Sequence, residues 1–268
     1  METNVVKFRY HGGNNTWFYL VPLGDIHLGN VGCEIGKAKE MIEWIRTHKN
    51  TYWIGMGDYI DAINYMDKRF DQTTVAEPYR SNLSNAISNQ TRDVIKILMP
   101  IKDKCLGLHR GNHEETIRLR TQYDVMYEMW KALDSKLLND TAITRLSFMD
   151  ESGHGSAFEI FSTHGSGGGK KGGGIINKLE DMITYVDADV YLQGHVHRKE
   201  TETKSTLYLD THGNLKVKKR VLGVTGCFLH GYQEGVSSYV EKWGFPPTDT
   251  GAIKLMFNPR KHDVHVSE

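Results

Sequence analysis

Cysteine is sparse in this sequence. Cys33, Cys105 and Cys227 are three thiols in 268 residues, an odd number at wide spacing. That argues against a disulfide framework and makes a reducing cytoplasm the default compartment. No Cys pair stands at ligand spacing, so a zinc finger has little support. An excess of charge is missing too. The 33 Lys and Arg balance 33 Asp and Glu, and nothing global points to a polyanion or a membrane surface. No apolar run approaches the roughly 18–20 residues of a membrane span, and the N-terminus has no signal-peptide layout. No membrane partner is expected. Repeats of solenoid period are not visible either.

What is plentiful is histidine, 13 residues, several beside Gly and Asp in turn-like contexts. That excess is a first compositional hint of metal chemistry. Hydrophobic residues at 39% and charged ones at 25% describe an ordinary soluble globular chain. The length suits one α/β domain as well as two. With no convincing linker, residues 1–268 are read as a single domain, strand-rich from about residue 203.

Lys7 to Tyr10 and Thr16 to Leu23 are β-rich runs around a glycine- and asparagine-rich turn, an expected opening hairpin. Ile35, Ala38, Met41, Ile42 and Ile45 recur at helical spacing and predict an amphipathic helix over Glu34 to His48. Thr51 to Met56 reads as a strand, and polar Asp67 to Tyr79 as a loop or lid. Leu83, Ile87, Val94, Ile95 and Leu98 mark a second helix ending near Pro100. Cys105 to Leu108 reads as a short buried strand, and Tyr123 to Leu138 as helical. Ala157 to Ser162 is a strand, Ile175 to Val186 a helix, and Asp189 to Leu192 a strand. Ser205 to Asp210, Leu215 to Cys227 and Ala252 to Phe257 are further strands. Alternation that gives way to strands suits sheets packed on each other with helices outside.

Five of these strands end in a polar, metal-competent cluster, and ligand sites in α/β folds collect at the carboxyl ends of strands. Gly24-Asp25-Ile26-His27 follows the second strand. In extended geometry Asp25 and His27 face the same side and reach one cation. A turn Asp beside a surface His would look the same. Gly57-Asp58 follows the third strand with Asp61 three residues on, and a helix N-cap is the plain alternative. Leu108-His109-Arg110-Gly111-Asn112-His113-Glu114-Glu115 brings a neutral amide, an imidazole and a carboxylate to one turn. His164 ends another strand, where a satisfied buried His is the alternative. Gly194-His195-Val196-His197 repeats the i, i+2 relation, which suits two histidines on neighbouring metals or flanking one. The joint occurrence carries the weight, not any one cluster.

In that order the segments resemble the calcineurin-like metallophosphoesterase signature, over residues 24–197. The resemblance implies a four-layer αββα sandwich, an α/β fold of two mixed β-sheets flanked by helices, with two divalent metal ions at the strand ends. It implies Asp25, His27 and His197 on the first ion, Asn112, His164 and His195 on the second, and Asp58 bridging. His113 would be the general acid near the leaving group, and Asp61 the carboxylate that orients it. The implied reaction is phosphoester hydrolysis by attack of a metal-bridging hydroxide. The chemistry agrees. Two divalent ions about 3.5–4 Å apart can activate hydroxide and clamp phosphoryl oxygens for in-line attack. Asp25, Asp58 and hydroxide would remove three of their four charges, leaving about +1 for a phosphate. All ligands are N or O, so Mn, Fe, Zn or Co are candidates and thiophilic metals are not favoured. Manganese is the first expectation, Ni or Mg also fit, and availability decides which is loaded.

Two further features touch substrate. Arg110 resembles the phosphate-contacting arginine of the Ser/Thr phosphatase branch, and its fork can bind phosphate bidentately. A strand-end Arg in a surface ion pair is an equal alternative. The glycine-rich run after His164 lets backbone amides approach an anion beside a helix N-terminus, so Gly168, Lys170 and Lys171 are read as substrate-binding. A merely tolerated loop is the plain alternative. Lys216, Lys218, Lys219 and Arg220 read as a solvated strand face, and Tyr232, Tyr239, Trp243 and Phe245 as packing. The paired histidines resemble the diesterase and repair-nuclease branch. A phosphodiesterase on DNA, RNA or nucleotides therefore leads, with a phosphomonoesterase on a nucleotide or phosphoprotein as the alternative. A non-catalytic metal-binding scaffold comes third, because such relatives typically lose ligands and here every expected position is filled.

Overall fold

The structure, a computed structural model, describes residues 1–63, 67, 70–167, 173–236, 238–242, 244–247 and 249–267. Its first five strands are β1 (Glu2–Tyr10), β2 (Phe18–Leu23), β3 (Thr51–Gly55), β4 (Cys105–His109) and β5 (Leu137–Asn139). Next come β6 (Thr141–Asp150), β7 (Gly155–Thr163), β8 (Val190–Gln193), β9 (Lys199–Leu209) and β10 (Leu215–Cys227). The chain closes with β11 (Gly251–Ala252), β12 (Lys254–Asn258) and β13 (Asp263–Ser267). The longer helices are α1 (Ile35–Thr47), α2 (Ala86–Leu98), α3 (Asn112–Thr121), α4 (Val125–Leu133) and α5 (Gly173–Met182).

Two mixed sheets form from these strands. One has the order β13-β12-β2-β3-β4-β5, and the other β1-β6-β7-β8-β10-β11 with β9 added to β10. β2 to β5 are parallel to one another. Strands of that kind are covered on both faces, which is why β2 and β3 read as nearly unbroken apolar runs. Leu20, Ile54, Leu106, Phe148, Phe158 and Leu192, drawn from both sheets, fill the space between them. Each such side chain contributes about 1.5–3 kcal/mol when fully buried.

Helices cover the outer faces. Ala38, Ile42 and Ile45 recur along one stripe of α1 and join Val94, Leu98, Met126 and Met129 of α2 and α4 against the first sheet. Ile175, Ile176 and Leu179 of α5 pack on Tyr191 and Leu222 of the second. The order helix, sheet, sheet, helix is the αββα sandwich that the motifs imply. Among the described residues no helix is long and apolar enough to cross a membrane.

The opening hairpin does not form. β1 pairs in parallel with β6 in one sheet, while β2 lies between β3 and β12 in the other. The glycine-rich segment carries the chain between layers, because each strand buries its apolar face against a different partner. The second difference is α3, which begins at Asn112 where the sequence suggests a turn. Its burial is confined to His113, Glu114 and Ile117, so it has no apolar stripe to announce it.

Candidate metal centre

The site is built where β2, β3, β4, β7 and β8 end. Past their last residues the β2 and β3 chains stay together: the Asp25 N–H donates to the Gly57 carbonyl (2.8 Å), and those of Ile26 and His27 to the Asp58 carbonyl (2.9 and 3.1 Å). The β4 loop comes closer still. A Cβ on Gly57, whose φ is +92°, would lie 2.6 Å from the Gly111 nitrogen, and one on Gly111 would lie 2.1 Å from Asp58 Oδ1. Only glycine fits at that crossing.

The histidines and aspartates do not meet as alternate residues of extended strands. Asp25, His27, Asp58, His195 and His197 have φ of 48°, 51°, 50°, 70° and 53°, the left-handed region that side chains other than glycine seldom occupy. Successive tight bends turn each side chain inward. Such strain persists where surrounding structure enforces it, and it gathers at functional sites.

Of three metal-competent groups among the described residues, His27, Asp61 and His113 form one, and the other two share Asp58. In the first of that pair, His27 Nε2 and His197 Nε2 are 2.9 Å apart, His197 Nε2 lies 3.3 Å from Asp25 Oδ1, and His27 Nε2 lies 3.8 Å from Asp58 Oδ2. In the second, Asn112 Oδ1 faces His195 Nδ1 at 2.7 Å and His164 Nε2 at 3.0 Å, and that His164 nitrogen is 3.4 Å from Asp58 Oδ2. Asp58 belongs to both. Donors about 2.0–2.2 Å from one ion have these mutual spacings. Asp25 Oδ1 is buried without a hydrogen-bond partner, so a cation there would satisfy it. The His164 Nδ1–H donates to the Met56 carbonyl (2.7 Å), which turns Nε2 toward Asp58.

The electrostatics favour positive charge in this cavity. Burial opposes ionisation of Asp58, but His164 and His113 outweigh it and hold the carboxyl well below its usual range. Burial likewise opposes Asp25 and is outweighed by the neighbouring His197 and then the charge of His164, so its pKa is also lowered. His164 responds in kind: burial pushes down, the neighbouring Asp58 pushes harder, and its pKa rises to about 10. Burial and then the charge of His164 bring His195 down to about 4, and burial lowers His27. Two buried carboxylates demand cations, and protons and metal ions compete for the same donors.

The expected roles of Asp61 and Arg110 need amending. His113 is buried, its ring edge-on to His27 with centroids 4.6 Å apart, and its main-chain N–H donates to Asp58 Oδ1 (3.0 Å). Its Nδ1 bonds the main-chain carbonyl of Asp61. The Asp61 carboxylate turns the other way. Its Oδ1 lies 3.6 Å from His27 Nδ1 and accepts from Asn30 Nδ2 (3.2 Å). Asp61 therefore meets the expected acid through its backbone and a metal-site histidine through its side chain. Arg110 sits between Glu115 (3.1 Å) and Asp124 (3.5 Å), so both arms of its fork face carboxylates. Gly168, Lys170 and Lys171 lie outside the described residues.

Two residues of the 108–115 stretch were given no role of their own in the sequence. Glu114 is buried, and its carboxylate accepts from the N–H groups of Asp58 (3.0 Å), Gly111 (3.0 Å), Tyr59 (2.8 Å) and Ile60 (3.3 Å). Burial and then the Asp58 charge push it up to about 7. The four donors, which a protonated oxygen does not satisfy, favour the carboxylate. As third residue of α3 it forms half of a capping box, and Gly-x-x-Glu is a signal for that. His109, fully buried, links the sheets: Nδ1–H donates to the Asn139 carbonyl (2.9 Å) and Nε2 accepts from Ser162 Oγ (2.8 Å). Its place at the end of a buried strand was the available hint.

No protein-family model and no curated protein matches the chain. Among solved structures it is similar to one described as a conserved uncharacterized protein, a predicted phosphoesterase, from Streptococcus pneumoniae. The two are 11% identical, the alignment covers 93% of this chain and 94% of that one, and the TM-score is 0.35.

Proposed function

We propose that this chain is a dinuclear metal-dependent hydrolase of phosphoesters. More particularly, we read it as a phosphodiesterase of the calcineurin-like metallophosphoesterase kind, acting on nucleic acids or nucleotides. The observation that carries the reading is the pair of donor groups that share the buried carboxylate of Asp58.

Asp25, His27, Asp58 and His197 would hold one divalent ion, and Asp58, Asn112, His164 and His195 the other, manganese being favoured. When bound, such a pair supplies a nucleophile at neutral pH and polarises the phosphoryl oxygens. The remaining work falls to the chain. Asn112 contributes an uncharged donor, so the site keeps net positive charge for an anionic substrate. The amino end of α3 opens at Asn112 and adds its own partial positive charge. The main-chain N–H of His113 donates to Asp58 Oδ1 and its ring Nδ1 bonds the Asp61 carbonyl, contacts that support a reading in which Nε2 protonates the leaving oxygen. A diester brings one negative charge and a terminal phosphate brings two. Because Arg110 is matched by Glu115 and Asp124, the diester is the better fit.

Purified protein should contain two divalent ions per chain and hydrolyse bis-p-nitrophenyl phosphate faster than the monoester. His113→Asn should lower turnover by about 100-fold to 10,000-fold while metal content stays unchanged. Unchanged turnover would remove His113 from the acid role, and faster monoester cleavage would favour a phosphomonoesterase. Binding to single-stranded DNA that weakens steeply with salt would mark nucleic acid as substrate.

A further inference from the structure

β9 and β10 form an antiparallel hairpin that leads away from the metal centre. Thr225 and Lys199 pair at its base near His197, and Leu215 and Leu209 pair at its tip, ten residues on and about 33 Å away at the rise of a strand. The inward face of β10 starts in the core between the sheets, where Val221 is 1% exposed. Two residues toward the tip, Lys219 marks the rim. Its ammonium donates to the Val264 carbonyl of β13 (2.8 Å) and lies 3.6 Å from Asp263. β13 is the last strand of the opposite sheet, and beyond Lys219 this face of the hairpin is exposed.

That overhang keeps the character of a core. The same face continues as Val217 and Leu215, with Leu207 and Leu209 directly across the ladder. These four side chains are 64%, 66%, 68% and 67% exposed. Single exposed aliphatics are ordinary, but four contiguous ones mark a contact surface. The opposite face is charged and, apart from exposed Lys216, its basic groups are paired. Lys218 and Arg220 meet Asp187, and Lys204 meets Glu180 and Glu202. A polyanion or an anionic bilayer has little to hold there.

We propose that the overhang is the contact between two copies of this chain, packed face to face about a two-fold axis. A two-fold contact brings a patch against itself, and an aliphatic face is complementary to its own copy. The balance of 33 basic and 33 acidic residues removes net repulsion between copies. At about 100 Å² per aliphatic side chain, each copy offers on the order of 400 Å² of apolar surface. With flanking Ser205, Thr203 and the Lys219 stem, the total approaches the lower limit of roughly 1,200 Å² for specific interfaces. An interface of that size falls in the weak, transient class, and both candidate metal centres, at the far ends of the hairpins, stay open.

Sedimentation velocity of the full chain from about 1 to 200 µM tests this, a range chosen to bracket a micromolar Kd. The wild type should pass from monomer to dimer. The double variant Leu207→Glu/Val217→Lys places opposite charges across one rung, which supports the hairpin while spoiling the face. It should remain monomeric at the highest concentration, with an unchanged circular dichroism spectrum. A second variant, Leu209→Ala/Leu215→Ala, should raise Kd at least ten-fold. The proposal is overturned by a wild type that stays monomeric throughout, by variants that dimerise equally well, or by a wild type that stays monomeric but co-floats with phosphatidylglycerol vesicles.

Discussion

Glu114 takes four main-chain donors on two oxygens, with Asp58 and Gly111 on one and Tyr59 and Ile60 on the other. Glu114→Gln replaces one oxygen by an NH₂ group, so two amide N–H groups lose their acceptor whichever way the side chain flips. Urea unfolding should show a loss of about 2–4 kcal/mol, and metal uptake should weaken because the Asp58 loop is no longer tied to α3. Stability equal to wild type would mean that these bonds are dispensable. His109 gives a pH signature. Burial lowers its pKa from 6.5 to about 4, so the folded protein refuses a proton that the unfolded chain accepts. Stability is full above pH 6.5 and falls as the pH drops toward 4, by roughly 3 kcal/mol in total. His109→Gln keeps a donor for Asn139 and an acceptor for Ser162, and urea midpoints between pH 7 and 4.5 should show a shallower slope. Identical slopes would assign the effect elsewhere. Neither partnership was legible in the sequence, because each depends on loops or sheets brought together from distant positions.

At the scale of elements, what could be read depended on whether an element has one apolar face. α1 and α2 carry such a stripe, and periodicity finds them to within a few residues. α3 carries Asn, His, Glu and Arg in place of one, so only its cap announces it. The ligand loops were recognised by composition, but their geometry was not. The expectation of extended i, i+2 pairs fails because the backbone turns left-handed at five donors. Strand order was likewise hidden, since β1 and β2 are neighbours in sequence and lie in different layers. Gly111→Ala tests how tightly the loops are matched. The new methyl would sit 2.1 Å from Asp58 N and Oδ1, so either the β4 loop or the β3 loop must retreat. Isothermal titration should find manganese affinity lowered at least ten-fold, and near-wild-type binding would show that the crossing has slack.

For the whole molecule, ions taken up by the buried charges of the candidate centre would stabilise the fold. A ligand at 100 times its Kd adds about 2.7 kcal/mol of stability, and for a chain of this size that is about 5–10 °C in melting temperature. Chelation followed by thermal denaturation should show a drop of that order, restored by manganese, whereas no change would mean that the donor groups do not take up ions in the folded state. The five donors on left-handed backbone carry a consequence for the history of such a chain. Glycine would relax each bend and lose the chemistry, so neutral drift under selection for durability alone leads toward a sturdier, inert descendant. On the proposed function, continued demand for turnover is what holds an imidazole or a carboxylate at those corners.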